Sequence, residues 1–335
     1  MKKILVTGGL GYIGSHTVVE LQNEGFEVVI IDDLSNSSIE VLDRITSITG
    51  TKPAYEQIDL KDKKAVAKFF ETYKIDGVIH FAASKAVGES VNEPLKYYEN
   101  NIATLTYLLQ SMLANDVTNI IFSSSCTVYG QADVLPITES AQTKPAESPY
   151  GATKRMGEII LEDTSKVTDL TAIALRYFNP IGAHASAKIG ELPLGVPQNL
   201  VPFVVQTAAG IREQLSVFGD DYDTPDGTAV RDYIHVVDLA KAHIAALNRL
   251  LEDKNKADLE YFNIGTGKGS SVLEIVKSFE RVTGQKLNYK IAPRRAGDIT
   301  AAYADTTLAN QELGWKTELS LDDALLSSWK WQETL

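Results

Sequence analysis

Between residues 1 and 179 the chain alternates short, almost unbroken apolar runs with longer stretches of helical spacing, and few folds accept that alternation. KILVTG, EVVIID, YEQID, GVIHFAA, NIIFSSS and LTAIALRYF read as strands. YIGSHTVVELQNEG, KDKKAVAKFFETYK and PLKYYENNIATLTYLLQSMLAND lie between them, with apolar residues three and four apart. Strands with little alternation are buried on both faces, and strand–helix alternation builds a parallel sheet with helices above and below. The expected class is therefore α/β, a Rossmann-type doubly wound parallel sheet.

After Asn179 the texture changes. PIGAHASAKIGELPLGVPQN is rich in Gly, Pro and Ala without a clear period, and reads as a long loop leaving the first domain. HVVDLAKAHIAALNRLL reads as a helix and YFNIGTG as a strand returning to the main sheet. SVLEIVKSFERVTG, NYKIA, DTTLANQELGW and LDDALLSSWKWQ then make a smaller C-terminal α/β lobe. The expected division is 1–179 with a returning segment of about 236–266, against 180–235 and 267–335.

GGLGYIG follows the first strand and opens the first helix, with glycines at 8, 11 and 14. A tight turn there needs permissive dihedrals, and a diphosphate must reach the backbone N–H groups of a segment such as Gly11-Tyr12-Ile13-Gly14 without side chains intervening. The helix N-terminus then faces the negative charge. An acid, Asp32, ends the second strand 18 positions past Gly14. It would accept from an adenosine ribose and repel a 2′-phosphate, so the cofactor expected is NAD rather than NADP. Asp33 is either a second ribose contact or a turn residue.

SPYGATK places Tyr150 and Lys154 one helical turn apart, with Pro149 suited to the first turn and Ser148 to the cap. Alone, this is equally a surface turn with a solvated lysine. But FSSSCTVYG ends the fifth strand, and the C-terminal ends of such strands face the ligand crevice, so Ser123, Ser124 and Ser125 approach the cofactor. A hydroxyl, a phenol and an ammonium beside a nicotinamide form a proton-transfer site. A phenol that works as a base near pH 7 must be brought down from about 10, at roughly 4 kcal/mol for three pKa units. One neighbouring cation gives about 1–3 of those. Lys154 together with the cationic oxidised nicotinamide reaches the requirement. The expected roles are Tyr150 as general base, Lys154 tuning it while binding the ribose, and Ser125 holding the substrate oxygen.

These strings together resemble the extended short-chain dehydrogenase/reductase family. HFAASKAVGESV, LRYFNPIGAH, NLVPFV, VRDYIHVVDLA and APRRAGD resemble its UDP-glucose 4-epimerase branch, and the resemblance runs through nearly the whole chain. It implies reversible 4-epimerisation of UDP-glucose and UDP-galactose through a 4-keto sugar. On the cofactor side it implies contacts from Asn36, Asp59, Leu60, Phe81, Ala82, Lys85, Asn100 and Tyr177, with Asp59 ending the third strand. On the substrate side it implies Arg231 and Arg295 as diphosphate clamps and Asp298 on the uridine ribose. Asn199, Leu200, Phe218 and Tyr233 become nucleotide contacts, and Asn179 a diphosphate or sugar contact. Where glucose-restricted relatives carry a tyrosine four residues after the aspartate, this chain has Ala302, which leaves room for a 2-acetamido group and implies UDP-GlcNAc and UDP-GalNAc as further substrates. The resemblance also implies a homodimer through helices around residues 94–115 and 150–165.

Three other readings stay open at this point. A uronic-acid 4-epimerase differs mainly in its sugar pocket. A nucleotide-sugar 4,6-dehydratase needs a Thr-Asp-Glu after the strand, where this chain has Ser125-Cys126-Thr127. An NAD-sensing regulator would lack the Tyr–Lys pair. The net charge of −12 argues against nucleic-acid and membrane-surface partners. Cys126 is the only cysteine, so no internal disulfide forms, and a cytoplasmic location is expected. His80, His235 and His243 fall in apolar patterns without ligand spacing, so no metal site is expected.

Overall fold

The computed structural model describes residues 1–295 and 298–335; Ala296 and Gly297 of the APRRAGD string lie outside the described residues. The first part of the chain runs β1 (Lys3–Thr7), α1 (Tyr12–Asn23), β2 (Glu27–Ile31), α2 (Glu40–Thr49), β3 (Ala54–Glu56), α3 (Lys63–Thr72) and β4 (Gly77–His80). It continues through α4 (Val87–Asn92), α5 (Pro94–Tyr98), a π turn (Glu99–Ala103), α6 (Thr104–Leu113), β5 (Asn119–Ser125), a 3₁₀ turn (Cys126–Tyr129), α7 (Pro149–Ser165) and β6 (Thr171–Tyr177). The remainder is β7 (Asn179–Ile181), α8 (Leu200–Ala208), β8 (Leu215–Phe218), β9 (Val230–Arg231), β10 (Tyr233–His235), α9 (Val236–Leu251), β11 (Leu259–Ile264), β12 (Ser270–Ser271), α10 (Val272–Thr283), β13 (Tyr289–Ala292), β14 (Ala301–Ala302), α11 (Thr307–Glu312) and α12 (Leu321–Gln332).

Seven strands form one sheet in the order β11-β6-β5-β4-β1-β2-β3, and every neighbouring pair is parallel. Because side chains alternate across a strand, the apolar runs feed two cores. Ile4, Val6, Val28, Ile30, Ile79 and Ile121 pack with α1, α2 and α9 on one face. Leu5, Val29, Ile31, Val78, Ile120 and Phe122 pack with α3, α6 and α7 on the other. The strand order reverses between β1 and β4, and in this architecture a crevice opens at the carboxyl ends there. The glycine loop leaves β1 at that point, and the next strand beyond β4 ends in Ser125.

YFNIGTG does return to the main sheet, as β11 beside β6. The elements after β6 add three small sheets: β10 with β7, β12-β9-β14, and β13 with β8. A third apolar cluster packs β7, β10 and β8 with α8, α10 and α12, with Val204, Val217, Ile275, Phe279 and Leu325 at its centre. Some expectations need correction. The third strand ends at Glu56, so Asp59 lies in the loop beyond it. The helix expected over 94–116 is broken by the π turn into α5 and α6. Helices α2, α4 and α8 were not expected; α2 has a legible signal, since Leu42 and Ile45 are buried with Val41 and Ile48 beside them at helical spacing.

Candidate active site

Helix α7 begins as its sequence dictates. Ser148 caps it, accepting from the Gly151 N–H at 3.2 Å, and Pro149 occupies the first turn. The helix sits close on β5: a Cβ at Gly157 would lie 2.5 Å from the Phe122 ring. Tyr150 and Lys154 therefore reach the end of β5, where Tyr150 is 9% exposed, Lys154 4% and Ser125 6%. The Lys154 ammonium donates to the Ser123 carbonyl at 2.6 Å and stands 5.8 Å from the Tyr150 ring centre. Ser123 and Tyr177 share a short hydroxyl–hydroxyl contact.

Burial sets the electrostatics. It pushes the Tyr150 phenol well above its ordinary range, with Tyr177 adding to the effect and the Ser125 hydroxyl opposing it. Burial also pulls Lys154 down to about 8. The expectation that Lys154 needs the cationic nicotinamide beside it to bring Tyr150 down is sharpened here: in the protein by itself, desolvation of the phenolate is the larger effect. His80, buried beside Lys154 and bonded to the Thr7 hydroxyl at 2.7 Å, is held neutral, its pKa lowered to about 3 by burial and then by Lys154. Burial raises Cys126 to about 12, so its thiol is inert.

The residues of the glycine loop fit a dinucleotide diphosphate. A Cβ at Gly14 would fall 2.2 Å from the Gly8 carbonyl oxygen, so the turn closes only around glycine. Gly11 caps α1 without a side-chain bond, and no acidic residue stands in the first turn, so the N–H groups at Tyr12 and Ile13 face outward uncompeted. The Asp32 carboxylate accepts from the Leu10 and Leu34 N–H groups, each at 3.0 Å, and from the Ser37 hydroxyl at 2.7 Å. A carboxylate offers about four acceptor positions, which leaves one for a ribose hydroxyl. Asp33 instead closes a turn on Ser35, at 2.9 Å to its N–H, and Asn36 is exposed nearby. Asp59 is exposed and caps its own loop through the Lys61 N–H at 2.9 Å; Leu60 is buried.

Further along the crevice, the Phe81 N–H continues the sheet by donating to the Thr7 carbonyl at 3.1 Å, and Ala82 follows it. The Phe81 and Tyr177 rings flank His243, at 4.7 and 5.9 Å between centroids. The π turn brings Asn100 and its neighbour Asn101 onto the 84–86 segment: Asn101 accepts from the Ser84 N–H at 2.8 Å and donates to Thr153 at 2.9 Å. Lys85 pairs with Glu191 at 3.7 Å. Asn101 and Glu191 were missed. Neither stands in a recognisable string, and only the π turn and the loop path bring them in.

On the substrate side, Arg231 and Arg295 both pair with Asp298, Arg295 at 3.1 Å. Two guanidinium groups on one carboxylate leave one uncompensated positive charge, suited to a diphosphate. Arg295 also stands 5.0 Å over the exposed Phe218 ring. Asn199 caps α8, which starts at Leu200, and donates to Glu191 at 2.9 Å. Asn179 and Tyr233 face one another across β7 and β10, and burial raises Tyr233 to about 12. These groups adjoin the proton-transfer cluster: the charge of Arg231 is felt at Cys126, next to Ser125. Ala302 is buried with Val128, Tyr129 and Phe178, whereas Tyr303 packs on the Gly269 side.

Each of three kinds of comparison with known proteins finds matches over nearly the whole chain. A family model described as GDP-mannose 4,6 dehydratase matches residues 5–327. The UDP-glucose 4-epimerase of Bacillus subtilis (strain 168) is 52% identical over 332 residues, covering 99% of this chain and 97% of that protein. Among solved structures, the UDP-glucose 4-epimerase of Stenotrophomonas maltophila with bound NAD and formylated UDP-arabinopyranose superposes with a TM-score of 0.97 at 49% identity, covering 100% of this chain and 98% of the other. That of Bifidobacterium longum in complex with NAD+ and UDP gives 0.95 at 48% identity, with 99% and 98% covered.

Proposed function

The chain belongs to the UDP-glucose 4-epimerase family, and on that premise we propose that it interconverts UDP-glucose and UDP-galactose by inversion at C4 with NAD as cofactor. One observation carries the reading: Tyr150, Lys154 and Ser125 converge, all nearly buried, at the end of β5 on the crevice side of the glycine loop. In this reading 1–179 with 236–266 holds the dinucleotide, and 180–235 with 267–335 holds the UDP-sugar.

The glycine loop and Asp32 would hold NAD, with Lys85, Asn100 and Tyr177 along its nicotinamide half. When bound, NAD would supply the redox chemistry, reversible hydride exchange with C4, and the positive charge of its oxidised ring would favour the phenolate of Tyr150. Tyr150 takes the proton of the 4-hydroxyl and later gives it back. Ser125 donates to the sugar oxygen, and Lys154 remains an ammonium below about pH 8. Arg231 and Arg295 move from Asp298 to the diphosphate, which frees the carboxylate for the uridine ribose. The nucleotide is held through several charged contacts while the sugar is not, so a 4-keto sugar can turn and present its other face.

The dehydratase reading fails at its own requirement, since Cys126 and Thr127 stand where that chemistry needs carboxylates. The small side chain of Ala302 supports the wider substrate range, and the tyrosine that follows it, Tyr303, is turned to the Gly269 side. We extend the proposal to UDP-GlcNAc and UDP-GalNAc on that ground. A homodimer fits the exposed Val91, Leu95, Met156 and Ile159 on α4, α5 and α7. No helix among the described residues is long and apolar enough to cross a membrane, and a cytoplasmic site of action is part of the proposal. The test is a coupled assay of the purified chain with each UDP-sugar and no added NAD. Turnover of UDP-galactose is expected, and turnover of UDP-GalNAc that Ala302→Tyr removes selectively. Absence of turnover with NAD also supplied would overturn the epimerase reading.

A further inference from the structure

Beneath the Ser125–Tyr150–Lys154 cluster lies a second group of polar side chains that the reaction does not itself use. Glu158 is fully buried and Arg176 is 4% exposed. They meet as a bidentate pair, Nε to Oε1 at 2.7 Å and Nη2 to Oε2 at 2.8 Å. Ser124, also fully buried, donates its hydroxyl to Glu158 Oε1 at 2.7 Å. Arg176 Nη1 donates to the Tyr129 hydroxyl at 3.0 Å, and that hydroxyl donates to Asn263 Oδ1 at 2.7 Å.

The placement of these groups sets them apart from an ordinary buried ion pair. Ser124 precedes Ser125 on β5, and Tyr129 closes the turn that follows Ser125. Glu158 lies one turn beyond Lys154 and two beyond Tyr150 on one face of α7. Arg176 precedes Tyr177 on β6. Every element that carries a group of the proton-transfer cluster therefore carries a member of the network beside it. A buried ion pair is weak evidence of stabilisation, because apolar residues of similar volume often do as well or better. The geometry it fixes is the better account of its presence.

We infer that the Ser124–Glu158–Arg176–Tyr129 network positions the active site, with the Ser124 hydroxyl as its link between α7 and β5, keeping the Tyr150 phenol and Lys154 ammonium in register with Ser125. The inference rests on the reading of those three as the reacting groups. The Ser124–Glu158 hydrogen bond ties α7 to β5 away from the reacting groups themselves. Its loss strands no charge, because Glu158 Oε1 still accepts from Arg176. A slip of about 1 Å at a reacting group can cost about a hundredfold in rate, and a slip of the base should appear in turnover rather than in nucleotide binding.

The experiment uses the NAD-loaded chain with UDP-galactose. Ser124→Ala is expected to lower kcat by about 10- to 100-fold with KM within about twofold of wild type. Tyr129→Phe, which breaks the network on its far side, is expected to show the same split. Ser165→Ala serves as the control, a buried serine on the same helix whose hydroxyl bonds only to the Glu162 carbonyl of that helix; its kcat should be unchanged. The inference is overturned if Ser124→Ala keeps kcat within about twofold, if the loss appears in KM, or if Ser165→Ala matches it. Wild-type turnover in the same series reports separately on the epimerase reading.

Discussion

Tyr150 and Lys154 are both shifted by burial against their ionised forms, the phenol upward and the ammonium down to about 8. The residue types and the one-turn spacing were legible in SPYGATK, and so was the cap. The sign of the net electrostatic effect was not, because spacing reports which groups are neighbours and says nothing of how much water they lose. The consequence is measurable at Lys154. Its folded-state pKa lies below the unfolded value of about 10.4, so between those limits the unfolded chain binds more protons and stability rises with pH. The penalty of burying the ammonium is fully present below about 8 and gone above about 10.4, a difference of roughly 3 kcal/mol. Lys154→Met removes that titration. Its stability relative to wild type, from urea unfolding, should fall by about 3 kcal/mol as pH rises from 7.5 to 10.5, and a gap independent of pH would contradict the assignment.

Helix α7 is the element that assembles the site, and its close seating on β5 depends on Gly157. Ala at that position would place a methyl 2.5 Å from the Phe122 ring, whose face also lies 5.2 Å below the Lys154 ammonium. Gly157→Ala should cost about 1–3 kcal/mol by overpacking and lower kcat as well; unchanged unfolding and turnover would show that the seating is loose. Elements with a clean apolar pattern, a continuously buried strand or a helix apolar on one face, were the easiest to read. NIIFSSS is β5 residue for residue, and LDDALLSSWKWQ is α12 residue for residue. β3 was read too long because it forms the sheet edge, where Ala54, Tyr55 and Glu56 are only partly covered and the apolar run gives no boundary. The π turn was invisible to a periodicity of 3.6, although it is what turns Asn100 and Asn101 toward the crevice.

At the scale of the whole molecule, the proposed substrate-side groups lie far apart in sequence, from Asn179 to Ala302, and tertiary pairing of β9 with β14 and β10 with β7 draws several of them together. The glycine loop and the Tyr–Lys pair were readable because each is local; the Arg231–Asp298–Arg295 cluster was accessible only through likeness to a family. The exposed apolar residues of α4, α5 and α7 make a further prediction at this scale. Leu95 is 80% exposed, and Leu95→Glu should convert a dimer to a monomer in sedimentation while NAD stays bound. A wild type that sediments as a monomer would refute the dimer. The account as a whole depends on where the Tyr150 proton goes in the loaded enzyme, and the direct measurement is an ultraviolet difference titration of NAD-loaded wild type against Tyr150→Phe. The account predicts one phenolate band, present in wild type and missing from the variant, appearing between about pH 6 and 8. Spectra that stay superimposable up to about pH 10 would contradict it.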